Sequence, residues 1–301
     1  MDPRAPRLSG LLGQDVTGAV PLGGAYRLRL ADGTEVVAKR HDHESGVLAE
    51  AAGLRWLASG PRWPASGPPN SSVAAGTDNS GFRCPQVVAH DAEWLVIEAV
   101  ATGSATVTAA EAFGRGLAEL HRGGADAFGT PPPGGPVDAW IGLAPMRNAT
   151  GETWPAWYAA HRIQPYLRTA VDQGVLHDHG PIDAVCERIA ELAGPAEPPA
   201  RLHGDLWSGN VLWGADGRVW LIDPAAHGGH RETDLAMLHL FGCAHLDRIV
   251  AAYDEADPLA DGWRARIPLH QLFPLLVHTV LFGGGYGAQA VAAARAALGG
   301  L

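Results

Sequence analysis

The stretch that most limits what this chain can fold into is RLHGDLWSGNVLW, residues 201–213. A polar loop here runs into a short apolar run, turns at Asp216-Gly217 and returns through RVWLID, a strand-turn-strand signal set between blocks of helical periodicity. Asp205 and Asn210 lie in the loop that leads into the first strand, and Asp223 ends the second, so the ribbon brings two carboxylates and an amide to one edge. Such oxygen donors suit Mg²⁺, which keeps several waters and is shared with substrate phosphates. A carboxylate left over can take a proton from a hydroxyl.

The rest of the chain divides around this loop. AYRLRLADGTEVVAKR alternates Tyr26, Leu28 and Leu30 before Asp32-Gly33, a hairpin signal that puts Lys39 on the second strand. ESGVLAEAAGLRWLAS then repeats Val47, Ala51, Leu54 and Ala58 at helical spacing. Glu50 falls on the edge of that stripe with no basic residue three or four positions away, so its partner must come from elsewhere in the fold. Residues 60–83, rich in Gly, Pro, Ser and Asn, predict a mobile surface loop. PQVVAH and EWLVIEAV predict two more strands, the second buried. From about residue 103 the pattern is helical, with a kink expected at Pro165, and helix returns from Arg231 to the end. The order is a strand-rich piece followed by a larger helical piece.

Charge and cysteine usage exclude several classes. With 32 acidic against 22 basic residues, the footprint needed to neutralise a nucleic-acid backbone is missing. The first residues carry no continuous apolar segment and no later run is long enough to span a bilayer, so a cytoplasmic protein is expected. Cys84, Cys186 and Cys243 are far apart and lack CxxC spacing, which suggests neither disulfides nor a zinc site. Among the basic residues Lys39 is the single lysine. A compact ammonium at one position alone hints at reaching phosphate oxygens as a point charge.

His203, Asp205, Asn210 and the Asp223 of DPA resemble the H-x-D-x-x-x-x-N and D-x-x signatures of the protein-kinase-like fold, with Lys39 and Glu50 in the places of its strand lysine and helix glutamate. HGDLWSGN, IDPAAHGGHRETDLAM and IGLAPMRN with WPAWYAAHRIQPYLR together resemble the fructosamine (ketosamine) kinase family over nearly the whole chain outside the 60–83 loop. The resemblance implies an α+β, two-lobed fold related to aminoglycoside phosphotransferases. An antiparallel-sheet N-lobe with one helix would occupy residues 1–100, and a mainly helical C-lobe residues 101–301. It also implies ATP- and Mg²⁺-dependent phosphorylation of a small-molecule or protein-bound ketosamine. Asp205 would be the base; Asn210 and Asp223 would hold Mg²⁺. Lys39, steadied by Glu50, would grip the ATP phosphates under Gly23 and Gly24, and the backbone of Glu98, Ala99 and Val100 would meet adenine. His203 would brace the loop and Asp234 would hydrogen-bond its backbone. Trp207, His230 and Arg231 are candidate acceptor contacts.

Three departures and three alternatives stand beside this. PLGG is short for a phosphate-covering loop, and Pro224 restricts Asp223, which argues against a large regulatory flip. Trp207 stands where protein kinases place a lysine, two positions after the catalytic aspartate, and could give the sugar an apolar face or pack the loop. Trp140, Trp154 and Trp157 could wall the acceptor, with core packing as the default. The alternatives are a kinase of another hydroxyl (aminoglycoside, choline or homoserine), a nucleotide-binding pseudokinase, and a dinuclear metal hydrolase using His203, His227 and His230 with the aspartates.

Overall fold

The computed structural model of the chain describes residues 5–59 and 81–299. A helix that the sequence reading had not anticipated, α1 (Ala5–Leu12), precedes β1 (Val16–Leu22), β2 (Ala25–Leu30) and β3 (Glu35–Arg40). The β2–β3 turn is the expected one: Gly33 takes a positive φ of 86° and Asp32 Oδ1 accepts from Thr34 N at 2.8 Å. PLGG proves shorter as a loop than its four letters suggest. Pro21 and Leu22 pair with β2, leaving Gly23-Gly24 as a two-residue turn with Gly23 at φ 58°.

After α2 (Glu44–Ala58), the chain passes through β4 (Phe82–Arg83), β5 (Val87–His90) and β6 (Trp94–Glu98). The N-lobe sheet has the order β1-β2-β3-β6-β5 and is antiparallel throughout. Alternation decides what each face buries. Leu28, Leu30, Val36, Ala38 and Val96 pack with Leu8 of α1, while Val47, Ala51 and Leu54 of α2 cluster with Leu95 and Ile97. That second cluster continues into the C-lobe through Phe113, Leu206, Leu221 and Leu238.

Most of the 60–83 loop lies outside the described residues. Its end departs from the expectation: Phe82 and Arg83 form a strand that pairs parallel to Val219 and Trp220 of the C-lobe. Gly81 lies so close to α3 (Val107–Arg122) that a Cβ there would come within 2.9 Å of Gly116 N.

The C-lobe adds the hairpin β7 (Asp138–Ile141) and β8 (Ala144–Arg147), which the sequence reading passed over, then α4 (Trp154–Tyr158), α5 (Gln164–Asp172) and α6 (Gly180–Leu192). The irregularity expected at Pro165 is a π-helical turn over Ala159–Ile163, just before it. β9 (Ala200–Leu202), β10 (Val211–Trp213), β11 (Val219–Leu221) and β12 (His227–Gly229) frame the loop that carries Asp205 and Asn210. α7 (Glu232–Phe241), α8 (Leu246–Ala256), α9 (Trp263–Phe282) and α10 (Tyr286–Gly299) close the lobe. No helix among the described residues is long and apolar enough to cross a membrane.

Candidate active site

Lys39 sits on β3 beside Ala38, whose side chain goes to the opposite, α1-covered face, so the lysine points toward α2. There its Nζ lies 2.8 Å from Glu50 Oε2 and 3.2 Å from Asp223 Oδ1. Glu50 is 6% exposed, and His41 Nε2 lies 3.3 Å from the same oxygen. Burial pulls the Lys39 ammonium down and Glu50 and Asp223 pull it up; the carboxylates win, so it stays charged. Burial pushes Glu50 up, but Lys39 and His41 outweigh it and hold the carboxyl below its usual range.

The loop that carries Asp205 is fixed from beneath. β9 pairs with β12, and between β9 and β10 the backbone amides of His203 and Gly204 donate to the two oxygens of Asp234 at 2.8 and 2.9 Å. Asp234 is itself met by His121 Nε2 at 3.2 Å, and His121 Nδ1 by Tyr253 Oη at 2.8 Å. His203 accepts from the Asp205 amide through Nδ1 at 3.2 Å, which leaves Nε2–H to donate to Ile222 O at 2.9 Å. Burial lowers its pKa, in keeping with a neutral ring. Gly204 has φ 81°, and a Cβ there would fall 2.1 Å from Ala225 O, so only glycine fits.

Asn210 Nδ2 donates to the Asp205 carbonyl at 2.8 Å and to Asp205 Oδ2 at 3.0 Å. One carboxylate oxygen, Oδ1, is left for another partner. Burial raises the Asp205 carboxyl to about 7, opposed by the Asn210 hydrogen bond and reinforced by Asp223. Burial and Glu50 raise Asp223 as well, against the pull of Lys39. Asp223 holds a left-handed φ of 52°, an unusual backbone for a residue preceding proline.

These groups share one cavity of about 380 Å³, whose walls include Lys39, Glu50, Asp205, Asp223, Trp140 and Trp207. Asn210 completes the oxygen set on its floor. Trp207 is 39% exposed; its indole lies flat over Gly209, where a Cβ would be 2.2 Å from the ring, and meets Phe241 edge-on at 5.9 Å. Trp154 and Trp157 are buried in the core, as is usual for tryptophan. Trp140 departs from it: it lines the cavity, and the signal that could have found it was the alternation of DAWIGLAPMR around Gly142, at φ 54°.

Several sequence candidates lie elsewhere. Gly23, Gly24, Glu98, Ala99 and Val100 are not in this lining. Glu98 ends β6 opposite Val36, with its side chain accepting from Gln86 N at 3.3 Å. His230 and Arg231 must be corrected as acceptor contacts. His230 is 3% exposed, packed at tilted angles against Trp154 and His270, and Arg231 is saturated by both oxygens of Glu197 and the carbonyls of Asp257 and Pro258.

The hydrolase constellation also dissolves. His203 and His227 each spend a ring nitrogen on a backbone carbonyl, Ile222 O and Ala225 O. His230 groups instead with Glu232 and His270, where Arg266 occupies both Glu232 oxygens at 2.9 and 2.5 Å. A guanidinium in that position makes the trio a buried ion-pair network.

Comparison with known proteins agrees with this geometry. The crystal structure of a Thermobifida fusca protein described as a fructosamine-3-kinase superposes with a TM-score of 0.85 at 44% identity, covering 99% of both chains. A probable ketoamine kinase of Thermus thermophilus is 32% identical over 271 residues, 89% of each chain. One from Enterococcus faecium is 34% identical over 176 residues, 58% of this chain and 61% of its own length. The chloroplastic protein-ribulosamine 3-kinase of Arabidopsis thaliana is 31% identical over 66% of this chain and 60% of its own. A macrolide 2'-phosphotransferase, at 18% identity and a TM-score of 0.57, shares the fold, and so does the aminoglycoside phosphotransferase APH(4)-Ia at 16% and 0.56. Residues 71–299 match the model of the fructosamine kinase family, and with the Asp205–Asn210 loop, the Lys39–Glu50 pair and the two-lobed fold in place, the chain belongs to that family.

Proposed function

We propose that this protein is an ATP- and Mg²⁺-dependent kinase that phosphorylates a sugar hydroxyl of ketosamines, the fructosamine and ribulosamine adducts of amines. The observation that carries this reading is the gathering of Lys39, Glu50, Asp205, Asn210 and Asp223 around one cavity, in a chain of the fructosamine kinase family. The relatives named for ketoamines and protein-bound ribulosamine support the acceptor.

Asp205 is the base. Its Oδ2 is tied to Asn210, and Oδ1 takes the hydroxyl proton as the acceptor oxygen bonds to the γ-phosphorus and the bond to the ADP oxygen breaks. A carboxyl raised to about 7 is a stronger base than an ordinary aspartate. Lys39, held by Glu50, grips the ATP phosphates, the Gly23-Gly24 turn lies over them, and the Glu98–Val100 backbone meets adenine.

Asn210 and Asp223 fit Mg²⁺. The Asn210 amide spends its NH₂ on Asp205 and so keeps its oxygen for a cation, and Asp223 adds a partly exposed carboxylate. When bound, the ion supplies charge neutralisation on the phosphates. Trp207 offers the sugar an apolar face beside Asp205. The reading includes a cytoplasmic location, where ATP is available.

An ATP-consumption assay across acceptors tests the reading. Fructosyl-lysine and ribulosyl-lysine are expected to be phosphorylated at kcat/KM at least about tenfold above aminoglycosides, choline and homoserine. Turnover confined to the latter group overturns the ketosamine assignment, and nucleotide binding with no turnover on any acceptor favours the pseudokinase.

A further inference from the structure

In kinases of this fold the lysine–glutamate pair works only when the helix carrying the glutamate is correctly placed. Here that helix, α2, is pressed from the C-lobe along its length. Gly53 lies against the residues that follow Asp223: a Cβ there would be 3.1 Å from Pro224 and 3.3 Å from Ala226. At the adjacent position, the Ala52 methyl meets Gly135, where a Cβ would be only 3.2 Å from it. At the helix start stands Trp140, carried by β7.

Trp140 is tied to α2 in two ways. Its Nε1–H donates to Ser45 Oγ at 2.8 Å, and its ring stacks on His43 with centroids 4.3 Å apart and planes 8° from parallel. Gly46 lies beneath the indole and beside His41: a Cβ there would make an ordinary 3.5 Å contact with Trp140 Cδ1 but a tight 3.0 Å one with His41 Nδ1. The hairpin behind the indole is anchored too. The fully buried Arg162 donates to Arg147 O at 3.0 Å and to Asn148 Oδ1 at 2.8 Å, at the end of β8. The chain thus runs from a fixed C-lobe hairpin, through Trp140, to the first turn of α2, and one and a half turns later to Glu50, Lys39 and the cavity that Trp140 itself lines.

We propose that Trp140 is a positioning residue that latches α2 to the C-lobe and so keeps Glu50 aligned with Lys39 for the ATP phosphates. The proposal rests on the nucleotide role of Lys39 given above. Because α2 is held by the acceptor-side hairpin, the pair is assembled without a separate activating event, in line with the restriction of Asp223 by Pro224.

Titrating ATP affinity directly, without any acceptor, tests the latch. Trp140→Phe keeps a ring for His43 but removes the donor; Ser45→Ala removes the acceptor of the same hydrogen bond. Each is expected to weaken ATP binding about three- to tenfold, and the double variant no further than the weaker single, since one bond is lost in all three. Turnover at saturating ATP should stay within about twofold of the parent for Ser45→Ala, whose side chain lies outside the cavity lining. ATP affinity unchanged in both singles, an additive double variant, or a fall in melting temperature without a fall in affinity would each overturn the latch. Lys39→Met separates this from failure of the functional reading. If it leaves ATP affinity intact, the nucleotide role of Lys39 is wrong; if it abolishes binding while the Trp140 and Ser45 variants do not weaken it, only the latch is wrong.

Discussion

The floor and the rim of the cleft hold their residues by different means. On the floor, the amides of His203 and Gly204 rest on a buried Asp234, which is backed by His121 and Tyr253. On the rim, Leu143 is 74% and Trp207 39% exposed, and nothing lies within 4 Å of where a Cβ would sit on Gly23 or Gly24. The difference teaches where tolerance to change resides. A buried charge network loses much when one member goes, because the partners left behind are desolvated and unpaired. An exposed rim residue can be exchanged at small cost to stability, so acceptor choice can vary over a floor that stays constant.

The sharpest break of this contrast lies at Asp205. Asp205→Asn keeps the size and can still meet Asn210, but it cannot take a proton. Turnover should fall by about two to four orders of magnitude while ATP affinity, measured by titration, stays within a few fold. Near-normal turnover would remove Asp205 as the base and, with it, the reason for so rigid a floor.

Beneath the floor, α7 carries Asp234 at its start and is pinned by Glu232, whose oxygens meet Arg266 and, at 3.3 Å, His270. Burial alone would raise the Glu232 carboxyl, but His270 and Arg266 hold it at about 2. A folded pKa below the unfolded value stabilises the native state above the ordinary carboxylate range. That contribution is lost as pH falls from about 4.5 toward 2. It amounts to roughly 3 kcal/mol. Denaturant melts between pH 6 and 3 should show the parent losing about 2 kcal/mol more stability than Glu232→Gln, which has no proton to gain there, with the remainder lost only below pH 3. Parallel pH profiles for the two proteins would show that the ion pair adds nothing to the floor.

Much of the floor was legible because its signals are local. HGDLWSGN and the Asp216-Gly217 ribbon carry their spacing within one short stretch, and Lys39 stood out as the single lysine. What sequence could not show is what long-range packing decides. Arg162 has the composition of a surface residue, yet it is fully buried between Trp157 and Phe273, at 4.6 and 5.5 Å, and donates to the chain leaving β8. His230 and Arg231 sit in a motif beside the site, but the turn into α7 sends one into the core and the other to Glu197. Trp140 failed for the opposite reason: a tryptophan defaults to the core, and only the hairpin around Gly142 brings it to the cavity. Likewise Phe82-Arg83 reads as part of a loop because a two-residue strand has no periodicity; its pairing partner lies more than a hundred positions away.

The smallest expected effect, and the finest test of the rim, concerns Trp207. Its indole is supported from below by Gly209 and Phe241 but is open on the cavity side. If its role is to give the sugar an apolar face, the cost of removal should appear in acceptor binding and almost nowhere else. Trp207→Ala is expected to raise the acceptor KM about tenfold and Trp207→Phe about two- to threefold, since a phenyl ring keeps part of the stacking area. The ATP KM should be unchanged in both, and melting temperature should fall little because the side chain is already part-exposed. Were the tryptophan only packing the loop, the pattern would invert, with stability falling and acceptor KM unmoved. That outcome would assign Trp207 to the floor and leave Trp140 and Leu143 as the walls that meet the acceptor.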